Sequence, residues 1–290
     1  MKGKRFIKWV TILVALLLIY SFNNAPPVKL YDDIEVTYID VGQGDSSFIN
    51  IKDGPKILID AGPKSGEDAV LNFLNEKDIK KIDYVIATHP HEDHIGGMTE
   101  VLKSFEVGTF YMPEVATTSK TFDNMLDAVK NNGCNAKYAK QGENIIDLQD
   151  VKLTVLAPVS ETYEDLNNYS VILKLTYKNS SFLFTGDAEK LAEYDVLNSN
   201  ADIRADILKV AHHGSSTSSG EDFLRKVAPR VGIISCGFDN SYGHPHKETI
   251  DTFNKLIIEY FLTNGKGNIL VLSDGENYQI IQEGEELWNG

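Results

Sequence analysis

Three histidines and two carboxylates stand within six consecutive residues, His89-Pro90-His91-Glu92-Asp93-His94. Imidazole nitrogens and carboxylate oxygens are the donors that borderline divalent cations take, and such side chains are costly to gather out of water without a partner. A lone histidine is more often a hydrogen-bonded structural residue than a ligand, but this density points to metal. Along an extended turn His89, His91 and Asp93 project to one side at i, i+2 and i+4, while His94 opens the next element and points elsewhere. One loop could thus hold two ions. The remaining histidines form two further clusters, His212-His213 and His244-Pro245-His246. Both lie near predicted strand ends, where loops carry functional groups, so all three clusters are expected to share one site.

The elements that must hold these loops follow from hydrophobic periodicity. Residues 84–87 read as a short buried strand running into the first cluster, and Gly96-Gly97 lets the next helix start close to it. Upstream, residues 34–40, 46–50 and 56–60 are β-branched runs split by Gly42-Gln43-Gly44 and Asp53-Gly54-Pro55, an opening antiparallel meander. Helical spacing marks 68–75, 98–105 and 122–129, the last closed by Asn131-Asn132-Gly133, with a strand at 109–111. In the second half strands are predicted at 151–156, 171–177, 181–184, 207–211 and 231–235, and helices at 191–198, 221–227 and 249–260. Closing strands follow at 269–272 and 278–282. Two halves of alternating strand and helix suggest a pseudo-duplicated α/β sandwich of sheets covered by helices.

Several polar residues sit where this scaffold would expose them. Asp187 follows the apolar run Phe182-Leu183-Phe184 and a glycine, either as a carboxylate able to bridge two cations or as the cap of the next helix. Asp60 ends a buried strand, where it can fix the metal loop or a ligand histidine. Asp45 follows Gly42 and Gly44, and either caps its own turn or approaches the site. His213, His244, His246 and Lys209 are candidates to contact substrate or protonate a leaving oxygen, with His244 favoured over His246. His213 reads equally as a packed residue behind the ligands, and Lys209 as a side chain snorkelling from its apolar strand. Ser215, Ser216, Thr217 and Ser218 can donate to phosphate oxygens or line a solvated loop.

Composition narrows the class. With 290 residues and 42% hydrophobic content the chain can bury a substantial core, as one large or two small domains. A net charge of -14 repels polyanions at long range, which argues against a passive nucleic-acid-binding module. It leaves open an enzyme whose metal ions meet the phosphate. Cys134 and Cys236 offer no CxxC spacing and read as small buried hydrophobes, with their pairing left open. Lys2, Lys4, Arg5 and Lys8 precede an uncharged apolar run at 9–20, the pattern of an export signal. No A-x-A-like cleavage site follows. Residues 1–24 are therefore read as a signal peptide or an N-terminal membrane anchor, 25–29, with Pro26-Pro27, as a linker, and 30–290 as the folded domain. A secreted or extracytoplasmic, membrane-anchored protein is expected.

From residue 30 onward the chain resembles the metallo-β-lactamase superfamily. His89, His91, Asp93 and His94 match its HxHxDH loop, Asp60 in Ile57-Leu58-Ile59-Asp60-Ala61-Gly62 its upstream aspartate, Asp187 its bridging carboxylate and His212 its late histidine. Within it, Asp40-Val41-Gly42-Gln43-Gly44-Asp45, Asn168-Tyr169-Ser170, His212-His213-Gly214-Ser215 and Gly243-His244-Pro245 are similar to the extracytoplasmic domain of ComEC-type DNA-uptake proteins and their stand-alone relatives. The resemblance implies a four-layer αββα sandwich with two divalent ions, zinc or manganese, at one edge. One ion would take His89, His91 and Asp187, and the other Asp93, His94, His212 and the same Asp187. Such a pair activates a water and neutralises charge on the reacting oxygens.

No histidine lies between His94 and Asp187, where many members supply another ligand. Asn168 and Ser170 stand there instead, so the His89 ion is expected to be the more exchangeable one. These readings put Asp93, Asp187, His213 and His244 in catalysis. Lys209, Ser215, Asn168, Ser170 and His246 are placed in substrate binding, and Asp45 and Asp60 behind the ligands. The leading expectation is an exported phosphodiesterase or nuclease acting on DNA, with any part in DNA uptake auxiliary because the chain holds no multi-helix channel segment. The alternatives are a phosphorylcholine esterase, or another hydrolase of a cell-wall or small-molecule substrate, and a catalytically inactive metal-stabilised surface binding module. Nothing in the sequence points to a protein partner.

Overall fold

A computed structural model describes residues 33–282 and 288–289. The expected signal or anchor and the linker after it lie outside the described residues. Strands β1 (Ile34–Tyr38), β2 (Ser47–Ile51) and β3 (Lys56–Ile59) pair antiparallel as the opening meander. Their alternation builds the layers. In β3, Ile57 and Ile59 face inward between sheets while Leu58 packs outward under helices, the period-two pattern of a strand buried on both faces.

Parallel strands β4 (Lys81–Ile86), β5 (Glu106–Met112) and β6 (Asn135–Tyr138) extend this sheet on one side. A second sheet of seven strands holds, in chain order, β7 (Asn144–Asp147), β8 (Val151–Val155), β9 (Leu173–Tyr177), β10 (Ser180–Phe184), β11 (Ile207–Lys209), β12 (Val231–Ile234) and β13 (Glu259–Leu262). Strands β14 (Ile269–Ser273), β15 (Tyr278–Gln282) and β16 (Trp288–Asn289) then return to the first sheet, which has nine strands among the described residues. Val36, Ile57, Phe182, Ile207 and Val271 lie in the apolar layer between the sheets.

Helices α1 (Glu67–Glu76), α2 (Glu92–Ile95), α3 (Met98–Ser104) and α4 (Lys120–Asn132) cover the outer face of the first sheet. Helices α5 (Lys190–Asn198), α6 (Glu221–Val227) and α7 (Lys247–Leu256) cover the second. The result is the αββα sandwich. Local chemistry sets helix ends: the Ser119 hydroxyl accepts from Phe122 N at 3.2 Å to start α4, and Gly133 ends it at φ 78°.

Three departures from the sequence reading have physical causes. The halves are not independent, because β14 pairs with β1. The helix expected over 249–260 stops at Leu256, where Ile257 turns left-handed at φ 58°, and Glu259–Leu262 becomes a strand parallel to β12. Strand β6 was not expected, since all four of its residues are exposed and show no alternation. Among the described residues no helix is long and apolar enough to cross a membrane. Cys236 is buried, Cys134 is half-buried, and both are free thiols.

Candidate metal centre

The chain leaves β4 extended and turns into α2 at His91, so Asp93 lies on a helix, together with His94, rather than on the extended turn expected from its spacing. That turn corrects the expectation for His94. Its ring returns to within 4.2 Å of the His89 ring instead of pointing elsewhere. Asp60 makes the arrangement rigid: its carboxylate accepts from Thr88 N at 2.8 Å, Thr88 Oγ1 at 2.7 Å and His94 Nδ1 at 2.8 Å. The Nε2 of His94 is thereby left to face the site. On the other side Gly44 allows close approach, since a side chain there would collide with the Asp93 carbonyl oxygen and with Pro63 Cδ at 2.6 Å. Asp45 N accordingly donates to that same Asp93 carbonyl at 3.1 Å.

Asp187 is the focus of the site. Four imidazoles present Nε2 to its carboxylate: His94 at 3.2 Å from Oδ1, and His213, His212 and His89 at 3.5, 3.8 and 4.0 Å from Oδ2. Asp93 Oδ2 stands 3.1 Å from His213 Nε2 and 3.9 Å from His94 Nε2. Donors bound about 2.1 Å from one ion at tetrahedral corners lie roughly 3.4 Å apart, so Asp93, His94, Asp187 and His213 fit a cation. Two buried atoms support this. His94 Nε2 and Asp187 Oδ1 make no hydrogen bond despite their proximity, which is costly unless something else satisfies them. On the other side of the carboxylate, His89 Nε2 lies 3.0 Å from His91 Nδ1.

His212 and His213 both adopt left-handed backbone, at φ 49° and 54°. Such conformations cost on the order of 1 kcal/mol or more each away from glycine and are held by their surroundings. The turn lets both consecutive rings reach Asp187. The sequence reading put His212 beside Asp93 and His94, whereas the structure places His213 there. His213 is 1% exposed, donates from Nδ1 to Ser235 O at 2.9 Å and has Asp45 Oδ1 at 3.3 Å. With Nε2 on Asp93 as well, it is enclosed among the ligands and does not reach the open side to protonate a substrate. His212, partly exposed, leans through Nδ1 on Glu189 Oε1 at 3.3 Å and Thr217 Oγ1 at 3.2 Å. Glu189 was missed as a site residue, though it stands two positions after Asp187.

The expected substrate contacts are mostly committed elsewhere. Lys209 neither snorkels nor faces solvent: it is 2% exposed and pairs with Asp45 at 2.6 Å while donating to Val210 O at 2.9 Å. Asn168 Oδ1 accepts from Ala192 N at 3.1 Å in the first turn of α5, and Ser170 Oγ accepts from Asp187 N at 3.1 Å. Ser215 is buried, with Oγ 3.0 Å from Thr217 Oγ1. His246 accepts from Ser216 N at 2.9 Å and donates from Nε2 to Tyr242 O at 3.1 Å. These residues frame the site. His244 stays half-buried beside it, its ring 5.6 Å from His212 and 6.0 Å from His213. Gln43, also missed, ties it in: Nε2 lies 3.3 Å from His244 Nδ1, and Oε1 accepts from Gly237 N at 3.0 Å.

Electrostatics explain why cations suit this place. Burial alone would raise Asp187, but His94, His213 and His89 hold it well below the usual carboxylate range. Burial would lower His94, yet Asp187, Asp60 and Asp93 hold it well above the ordinary imidazole value. His89, buried and beside His94, is pushed well down. His244 falls to about 4 through burial and the neighbouring histidines, and is neutral at neutral pH. Of the carboxylates Asp45, Asp60, Asp93 and Asp187, Asp45 alone pairs with a lysine among the described residues. Protons on the raised His94 and His213 offset part of the charge on the other carboxylates, and bound cations would take the place of those protons.

The family model of the Metallo-beta-lactamase superfamily matches residues 39–237. The chain is 34% identical over 252 residues to ComE operon protein 3 of Bacillus subtilis, an overlap of 81% of this chain and 32% of that protein. It is 29% identical over 226 residues to Recombination protein 2 of Haemophilus influenzae, covering 76% of this chain and 26% of the other. It therefore spans about a third or less of the length of these curated relatives. The crystal structure of the metallo-β-lactamase fold protein YhfI from Bacillus subtilis superposes with a TM-score of 0.52 at 14% identity, covering 82% of this chain and 99% of that one, a likeness of fold alone. With that family match running from the glycine turn through the metal loop and Asp187 to the paired histidines, the chain belongs to the metallo-β-lactamase superfamily and has the fold of its metal-dependent hydrolases.

Proposed function

We propose that this chain is an exported phosphodiesterase that cleaves DNA with two divalent ions, zinc or manganese. The observation that carries the reading is the Asp187 carboxylate, with histidine donors within 4.0 Å on both of its oxygens. One ion would sit among Asp93, His94, His213 and Asp187. The other would sit among His89, His91, His212 and Asp187. His212 then supplies the donor that the stretch between His94 and Asp187 lacks. When bound, the pair supplies an activated water and a clamp on the charge of phosphate oxygens.

The chain's own residues do the rest. Asp60 and the Asp45–Lys209 pair orient His94 and His213, and Ser170 fixes the backbone that carries Asp187. The partly exposed residues Asp93, His91, His212 and His244 mark the side from which substrate can approach. There the neutral His244 ring can hydrogen-bond a phosphate oxygen. DNA as the substrate is supported by the similarity to ComEC-type DNA-uptake proteins and to a relative named for recombination. Export is supported by the basic and apolar pattern of residues 2–20.

The full chain, loaded with manganese or zinc, should be assayed against single- and double-stranded DNA, bis-p-nitrophenyl phosphate, choline-phosphate esters and a chromogenic β-lactam. Chelator-sensitive DNA cleavage is expected. Intact DNA alongside turnover of a choline ester or the β-lactam would overturn the DNA assignment, and metal uptake without any turnover would favour a binding module.

A further inference from the structure

The loop between β12 and α7 carries two aromatic side chains in water, Phe238 at 73% and Tyr242 at 66% exposure. It is not a loose loop. Asn240 Nδ2 donates to Gly237 O at 2.9 Å and His244 O at 2.6 Å, while Asn240 Oδ1 accepts from His244 N at 2.9 Å. Gln43 pins one end of it to the glycine turn, and His246 holds the Tyr242 carbonyl. Large apolar rings held out in water by so many hydrogen bonds suggest a surface made for contact.

The orientation of the rings gives that contact a direction. Tyr242 stacks on His244 with centroids 5.5 Å apart and planes 21° from parallel, and His244 continues to His213 at 6.0 Å and 32°. A series of rings, stacked at its outer step and tilted at its inner one, thus leads from solvent to a residue of the metal centre. The outer face of Tyr242 is the next step in that series. Flat, uncharged π-systems joined to a phosphodiester are nucleobases, and stacking on tyrosine is the sequence-tolerant way that proteins hold them.

We propose that Tyr242 is a stacking platform for an unpaired nucleobase next to the scissile phosphate, which makes single-stranded DNA or a frayed end the preferred substrate. The inference rests on the phosphodiesterase reading above. A base in a duplex already has both faces covered, so pairing competes with this contact. In an acidic chain the platform also supplies attraction that does not depend on positive charge.

The test compares a single-stranded oligodeoxynucleotide with a strand of the same length built from abasic units, using the full chain loaded with manganese. The wild type is expected to show a KM roughly tenfold lower for the base-bearing strand. Tyr242→Ala should bring the ratio of the two KM values close to one, and Tyr242→Trp should keep it. Metal content, measured for each variant, checks folding. An unchanged ratio in Tyr242→Ala overturns the platform. Binding of the two strands by fluorescence anisotropy, which needs no turnover, separates the hypotheses. Base-dependent binding that Tyr242→Ala abolishes, with no strand cut by the wild type, would sink the phosphodiesterase reading and leave the stacking contact standing.

Discussion

The two pockets that meet at Asp187 use the same kinds of donor but are held very differently. In one, His94 and His213 are almost fully buried, and each Nδ1 has a fixed acceptor: Asp60, locked by Thr88, for His94, and the backbone carbonyl of Ser235 for His213, with Asp45, held by Lys209, 3.3 Å away. In the other, His91 is half-exposed against the His89 ring, and His212 leans on Glu189 and Thr217 near solvent. Groups behind a ligand set its orientation and much of its affinity. The first pocket is therefore built to retain an ion and the second to exchange one. The same asymmetry opens the second pocket toward substrate.

This contrast can be broken at four levels. The largest effect belongs to Asp187→Asn, which weakens both pockets at once; turnover should fall roughly a thousandfold or more, with fewer ions bound by elemental analysis. Full activity in that variant would remove Asp187 from the centre. Next, His213→Ala should lose the tightly held ion and His212→Ala only the weaker one, read as stoichiometry and affinity by calorimetric titration. Equal losses would mean that the pockets are not distinct. Asp60→Asn should weaken the tight ion by roughly 10–100-fold, and Glu189→Gln the exchangeable one by less, because the contact it removes is near solvent.

The last effect concerns the rim and is read on stability, leaving metal binding and turnover the least changed. Glu193 accepts from Ser219 N at 2.5 Å and Gly220 N at 2.9 Å, anchoring the loop that begins at Ser215. Burial pushes its carboxyl up to about 7 in spite of those N–H donors. Because the folded value lies above the ordinary 4.5, the contribution to stability is complete below that pH and is lost as pH rises through about 7. Urea unfolding between pH 5 and 8 should show a decline of at most about 3 kcal/mol from this group, flattened in Glu193→Gln. An identical slope in the variant would clear Glu193 of the effect.

The legible parts of the centre were those written locally. His89, His91, Asp93 and His94 are contiguous, Asp187 closes an apolar strand, and the sandwich follows from runs such as Ile57-Leu58-Ile59. What stayed hidden depends on distant partners or on backbone choices that side-chain type does not encode. Which of His212 and His213 joins Asp93 is decided by two left-handed residues that are not glycine. Lys209 looks like a free cation on an apolar strand until Asp45 arrives beside it from the glycine turn. The overrun of α7 has the same origin, since Ile257 and Ile258 continue an apolar pattern while the backbone reverses at Ile257.

The return of β14 to β1 governs when the centre can form. Asp40, at the base of the glycine turn, donates from N to Asn268 Oδ1 at 2.9 Å and accepts from Gly267 N at 3.2 Å, across 228 and 227 positions of chain. That turn delivers Asp45 to His213 and Gln43 to His244. Closing so long a loop is entropically slow, so the strands and helices between assemble first. Maturation of the metal site is thus coupled to the pairing of β14 with β1, and a chain threaded across a membrane as proposed would stay inert until β14 had emerged.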